Sequence, residues 1–271
     1  MTDLSGRTAL VTGSTSGIGL AIAEALGSAG ARVAVHGLAG DMEIHDALER
    51  VKKAGSPDAQ YFAGDMRHPA RIAELMEAVA AWSGPSGGPD ILVNNAGIQH
   101  TAPTPEMPDE KWDAIIAINL SACFHTMKAA LPGMAERGFG RVINIASVHG
   151  LVASKHKAPY IAAKHGLVGM TKVVALEFAA TGSAETGGVT ANCICPGWTE
   201  TVLIEPQIEA KAKAHGGDRA AGVADLLSEK QPSLRMTRPS DIGALALWLC
   251  APAAHNLTGT AIPVDGGWTA Q

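Results

Sequence analysis

This sequence predicts a single α/β domain built on a parallel sheet, on three grounds. Short aliphatic and β-branched runs alternate with helical patterns along the chain, the order that buries a parallel sheet between helices. A strand, a glycine-rich turn and a helix open it. Its 271 residues include 31 glycines and are 46% apolar, the composition of a densely packed core rather than of a disordered or collagen-like chain. One α/β domain, 1–271, accommodates that length.

The first strand is Thr8-Ala9-Leu10-Val11, and Thr12-Gly13-Ser14-Thr15-Ser16-Gly17-Ile18-Gly19 turns it into a helix over Leu20 to Ala29. Glycines in such a turn let the backbone approach a pyrophosphate, and the helix amino terminus offers free N–H groups. The spacing is Gly-x-x-x-Gly-x-Gly, which a plain tight turn can also carry. A second strand, Arg32 to His36, ends where an adenosine ribose would lie in a dinucleotide fold. With no Arg or Lys at that end or in the glycine turn, NAD is favoured over NADP. His36 itself reads more readily as a solvated loop residue.

Helix 41–54, strand 60–63 and helix 69–82 continue the alternation, and Gly64-Asp65-Met66 offers a candidate adenine contact. After a Gly/Pro/Ser turn, the strand beginning at Asp90 runs into Asn94-Asn95-Ala96-Gly97, turn formers that would also leave room for a flat ligand. A helix is predicted over 109–136. Asn119 is a poor helix former at its middle, so it is either a bonded core amide or the holder of a water beside an active lysine. From Val202 to Pro239 no strand pattern occurs, although such connections usually take ~2–6 residues. That excess predicts a helical lid over about 202–239, with pieces 204–214 and 219–229. Helix 240–250 and strand 260–264 close the chain.

Charge and composition exclude several functions. A net charge of -5 offers no basic footprint for nucleic acid. Cys123, Cys193, Cys195 and Cys250 lack metal-ligand spacing and read as reduced core thiols, so no metal site is expected. Neither a basic flank with an apolar core at the amino terminus nor an apolar run of ~18 residues is evident, which predicts a cytoplasmic protein without membrane association.

The chemistry concentrates between Ser147 and Lys164, SVHGLVASKHKAPYIAAK. Tyr160 and Lys164 stand four apart, and a helix opened near Pro159 projects both from one face. An ammonium beside a phenol favours the phenolate, making Tyr160 a proton-transfer group for an alcohol or carbonyl. Ser147 follows the apolar run 142–146, whose strand end would present its hydroxyl to the same point. Lys157, three residues before Tyr160, could add a positive charge for a carboxylate.

Taken together, TGSTSGIG, NNAG, Asn119, Ser147, Tyr160-x-x-x-Lys164 and Pro196-Gly197 resemble the short-chain dehydrogenase/reductase family over essentially the whole chain. The resemblance implies a Rossmann-type doubly wound parallel sheet of about seven strands and Asn119, Ser147, Tyr160 and Lys164 as catalytic residues. It implies NAD held by Gly13, Thr15, Ser16, Gly17, Ile18 and Gly19, by His36, Gly37 and Leu38, by Asp65 and Met66, and by Asn95, Ala96 and Gly97. Tyr160, Lys164, Pro196, Gly197, Thr199 and Thr201 complete that set. The strings NNAGIQHTAP, ASVHGLVAS, YIAAKHGLVGMTKVVALE, CICPGW, LLSEKQPSL and VDGGWTAQ look like members that oxidise short 3-hydroxy acids. In those, residues matching Gln99, His149, Lys157 and Gln207 hold the substrate carboxylate, Ser147 and Tyr160 meet the reacting oxygen, and Trp198 and Trp268 enclose the carbon chain. Two departures stand out: His36-Gly37-Leu38 replaces Asn-Gly-Phe, and Thr199-Glu200 replaces an apolar-basic pair. The family also implies a homotetramer formed through two long helices. A 3-oxoacyl thioester reductase would share the tetrad but should prefer NADPH and show a basic docking surface, and a nucleotide sensor would have no need of an intact tetrad.

Overall fold

The computed structural model describes residues 2–270. Its centre is a seven-stranded, wholly parallel sheet of order β3-β2-β1-β4-β5-β6-β7. The strands are β1 (Thr8–Val11), β2 (Arg32–Gly37), β3 (Ala59–Ala63), β4 (Ile91–Asn94), β5 (Phe139–Ile145), β6 (Gly188–Pro196) and β7 (Ala261–Val264). The order reverses between β1 and β4, which opens a crevice at the strands' carboxyl ends, the usual ligand position in open α/β sheets.

Period-two alternation along each strand makes two cores. Leu10, Ala34, Leu92 and Val142 point to one face, covered by α3 (Pro69–Ser83), α5 (Ala122–Glu136) and α6 (Ala158–Phe178). Ala9, Val11, Val33, Val93, Ile143 and Ile194 point to the other, covered by α1 (Gly17–Ser28), α2 (Asp41–Ala54) and α9 (Pro239–Leu249). Each fully buried Leu, Ile or Val contributes ~1.5–3 kcal/mol, so this central sheet is the rigid base on which the loops are mounted. The four cysteines are buried and free, and burial pushes the thiols of Cys123, Cys195 and Cys250 up to about 12 and that of Cys193 to about 11.

The helix expected over 109–136 is three pieces: α4 (Asp109–Ile116), a π-helical turn (Ala117–Ser121) and α5. By length and composition this stretch is the one among the described residues apolar enough to cross a membrane. It lies instead along the sheet, with Cys123, Met127, Leu131 and Met134 in the core. Between β6 and α9, α7 (Glu205–Ala214) and α8 (Arg219–Ser228) form a helical pair. Its outer flank is tied by Lys211 to Asp225 (3.4 Å) and Arg219 to Glu205 (2.6 Å), and Gly222 lets the helices touch at Ala212. Both ends are pinned where Thr237 N–H donates to the Trp198 carbonyl (2.9 Å) and Glu200 N–H to that of Thr237 (3.1 Å). Ile204, Ile208, Leu226 and Leu227 rest the pair on Val148, Trp198 and Trp268.

Candidate active site

A cavity of about 1000 Å³ runs along the carboxyl ends of β1 to β4. The α1 amino terminus faces it, and the Ser16 side chain makes no capping bond there, so the first-turn N–H groups and the helix dipole remain available to an anion. Gly13, at φ +62°, lies so close to β4 that a Cβ would sit 2.9 Å from the Ala96 Cα. The turn is locked to β4 by Asn95 Nδ2, which donates to the Thr12 and Gly13 carbonyls (both 2.9 Å), and by Thr12 Oγ1, which accepts from the Asn95 and Ala96 N–H groups. Asn94 turns inward into a buried chain to Asn144 and Thr126.

Two sequence expectations change here. Gly19 does not line the cavity; a Cβ there would meet the Gly13 carbonyl oxygen at 2.2 Å, so this glycine serves close packing of helix on turn. His36 is buried rather than solvated, at 2% exposure. Gly13 N–H donates to its Nδ1 (3.2 Å), which makes Nδ1 the acceptor and leaves the proton on Nε2 to donate to the Gly64 carbonyl (2.9 Å). Burial lowers the imidazole pKa, so the ring is a neutral clasp joining the glycine turn to the end of β3. Asp65 lines the cavity as an ionised acceptor, its carboxyl held at about 2 by hydrogen bonds from Arg67. His36→Ala should raise the KM for the dinucleotide roughly tenfold with kcat preserved, since an unmade buried bond costs ~1–3 kcal/mol. Initial rates at varied cofactor concentration check this.

A smaller cavity of about 110 Å³ opens from the first and shares Ile18, Asn95, Gly97, Thr201 and Leu203 with it. Gln99, Ser147, His149, Lys157, Tyr160, Lys164, Trp198 and Trp268 line it, together with Pro196, Gly197 and Thr199. Tyr160 and Lys164 come from the buried face of α6, and Lys164 Nζ lies 5.6 Å from the tyrosine ring centroid. Lys164 Nζ also donates to the Ile145 carbonyl at the end of β5 (2.7 Å), which fixes the amine against the sheet. Ser147 follows that strand, and its Oγ accepts from the His149 backbone N–H (3.1 Å).

Lys157, 7% exposed, has no carboxylate partner among the described residues; its Nζ stands 5.2 Å from the Trp198 ring centroid. Burial first, then the charge of Lys230, pulls its ammonium down to about 8. Burial and the charges of Lys157 and Lys230 push His149 down to about 3, so its ring is neutral at physiological pH. The resemblance puts His149 on a substrate carboxylate, whereas here its ring nitrogens already contact Ser147 (Nδ1, 3.3 Å) and Ser154 (Nε2, 2.9 Å).

Two expected residues stand off the wall. Asn119, fully buried in the π turn, uses its amide on one residue: Oδ1 accepts from the Ile98 N–H (2.9 Å) and Nδ2 donates to the Ile98 carbonyl (2.8 Å). Of the two sequence alternatives, the side chain is the bonded core amide, and it holds the segment carrying Gly97 and Gln99. Gln207 lies on α7 beyond the wall, with a buried Oε1 that has no partner. Residues unnoticed in the sequence also appear. Lys230, at 5.7 Å from the Trp268 ring, adds charge behind the pocket, and Leu203 accepts from Gln99 Nε2 (3.2 Å). Arg67, Lys111 and Arg219 reach the larger cavity from separate elements. No local signal in the sequence marks them.

A parallel sheet with a glycine turn at its switch point and a Ser-Tyr-Lys cluster on the neighbouring cavity defines a nucleotide-dependent oxidoreductase. The short chain dehydrogenase family model matches residues 7–212. The chain is 50% identical over 269 residues to D-beta-hydroxybutyrate dehydrogenase of Cupriavidus necator, covering 99% of this chain and all of that one. It is 45% identical to the enzyme of the same name from Rhizobium meliloti, over 98% of this chain and 99% of the other. Among solved structures, L-sorbose reductase from Gluconobacter frateurii, complexed with NADPH and L-sorbose, superposes with a TM-score of 0.90 at 29% identity, covering 100% and 99% of the two chains. The chain belongs to the short-chain dehydrogenase family and is an oxidoreductase of the type that uses a nicotinamide cofactor.

Proposed function

We propose that this protein catalyses the reversible oxidation of (R)-3-hydroxybutyrate to acetoacetate with NAD. The observation that carries the reading is Lys157, a buried ammonium with no carboxylate partner among the described residues, in a small tryptophan-walled cavity that also holds Ser147 and Tyr160. A cation in that position suits a short acid whose alcohol lies a few atoms from its carboxylate. The names of the two relatives agree with it.

The larger cavity fits a dinucleotide: glycine contacts too tight for a side chain, an uncapped helix amino terminus and an ionised Asp65 at its far end. The glycine turn and the end of β2 contribute no cation to it, which supports NAD over NADP. When bound, the nicotinamide supplies the hydride acceptor. Lys157 and Gln99 bind the carboxylate, with Gln207 joining them from α7, where its buried Oε1 has no partner among the described residues, and Trp198 and Trp268 crowd longer chains. Ser147 donates to the C3 oxygen and Tyr160 takes the hydroxyl proton as general base. Lys164 steadies the tyrosine, would hold the nicotinamide ribose and would pass the proton on through a water at Asn119.

Helices α7 and α8 act as the lid over 202–239, closing through the Trp198 and Trp268 cluster and the Gln99 bond to Leu203. Exposed Phe124 on α5 and Val173 and Leu176 on α6 support assembly into a homotetramer through those helices. NADH formation with the separate (R) and (S) acids, and with NADP in place of NAD, tests the reading. Turnover with (R) and NAD is expected; dominant activity on thioesters with NADPH, or preference for (S), would overturn it.

A further inference from the structure

Ser147 and His149 leave a question of hydrogen direction that a third residue answers. The Ser147 hydroxyl has one hydrogen and two acceptor sites. One acceptor site is filled by the His149 backbone N–H at 3.1 Å. The second contact is His149 Nδ1 at 3.3 Å, and its direction depends on which ring nitrogen carries the proton. If Nδ1 is bare, Ser147 gives its hydrogen to the imidazole and has none for a ligand. If Nδ1 carries the proton, both acceptor sites are filled and the hydroxyl hydrogen can only point into the cavity. The opposite nitrogen, Nε2, is 2.9 Å from Ser154 Oγ on the loop before α6.

The ring cannot evade this choice by turning. It packs steeply inclined between Tyr160 (centroids 5.9 Å apart, planes at 74°) and Trp268 (5.5 Å, 77°), and it is 4% exposed. A neutral ring carries one proton only, so a hydrogen donated to Nε2 places the ring's own proton on Nδ1.

We propose that Ser154 is a positioning residue of this site: by donating to His149 Nε2 it holds the imidazole as the Nδ1–H tautomer and so frees the Ser147 hydroxyl hydrogen for the substrate oxygen. The chain of donors then runs one way, from Ser154 through His149 and Ser147 to the oxygen that gains negative character as its proton leaves. Aligned bonds of this kind reinforce one another in a low-dielectric pocket. The proposal rests on Ser147 acting as donor to the reacting oxygen.

Ser154→Ala and Ser154→Thr test it, together with ¹⁵N NMR of histidine-labelled protein saturated with NAD, His149 being assigned by difference from a His149→Asn variant. Ser154→Ala should lower kcat about tenfold, a fraction of the ~10²–10³ lost when an oxyanion donor is removed outright, and Ser154→Thr should restore it. KM for NAD should not change, and the wild-type spectrum should show Nδ1–H. An Nε2–H ring in the wild type, an unchanged kcat, or a rise confined to the KM of the acid substrate would each overturn the proposal, the last by assigning Nε2 to the carboxylate. The tautomer is read without turnover, so a wild type inactive on (R)-3-hydroxybutyrate would remove the substrate reading while the spectrum still decides the role of Ser154.

Discussion

Tyr160→Phe is expected to lower kcat by about 10³-fold or more, within the ~10²–10⁴ that a positioned acid–base group contributes. The ring packs against Ile115 and Ala163 and makes a T-shaped contact with His149, so phenylalanine keeps the fold and removes one oxygen. NADH affinity, followed by fluorescence quenching, should remain within about twofold because the larger cavity is built mainly from the ends of β1 to β4. A variant that still turns over normally would show that the proton leaves by another group.

Lys157→Met should raise the KM for the acid substrate by about 10- to 100-fold while kcat changes little, since a hydrogen bond to a charged partner is worth ~1.5–3 kcal/mol. The same substitution should stabilise the protein. At pH 7 the lysine is protonated both folded and unfolded, and its depression from 10.5 to about 8 means that the fold disfavours the charge by about 3 kcal/mol. That cost fades as pH rises from about 8 towards 10.5, so the gain in Tm, roughly 5 °C at neutral pH, should shrink in alkali. In the wild type, kcat/KM for the acid should fall above about pH 8 as Lys157 loses its proton, a limb missing from the methionine variant's profile. A matched pH profile in both would separate Lys157 from carboxylate binding.

Much of this was legible in the chain. Alternating strands and helices, the glycine turn and the Tyr160–Lys164 spacing depend on local periodicity and on turn chemistry, which adjacent residues settle among themselves. Thr8–Val11 and Asp41–Ala54 match their expected bounds, and most other elements shift by a residue or two. Asn119 shows where this stops. Its poor helix propensity marks an irregularity, yet the π turn and the clasp on Ile98 come from packing against a loop distant in sequence. Gly19 belongs to the glycine motif in sequence and to the helix packing in space.

The residues themselves determined the alternation that makes the sheet, the turn that can approach a phosphate, and a phenol, an amine and a hydroxyl close enough along the chain to meet. Tertiary structure alone decided what each polar group is free to do. It buried His36 between two main-chain partners, took up both nitrogens of His149, left Lys157 without a carboxylate partner among the described residues and kept Gln207 off the cavity wall. The physical reason is that proton affinity and hydrogen-bond availability depend on burial and on neighbours from other elements, which no local stretch of sequence contains.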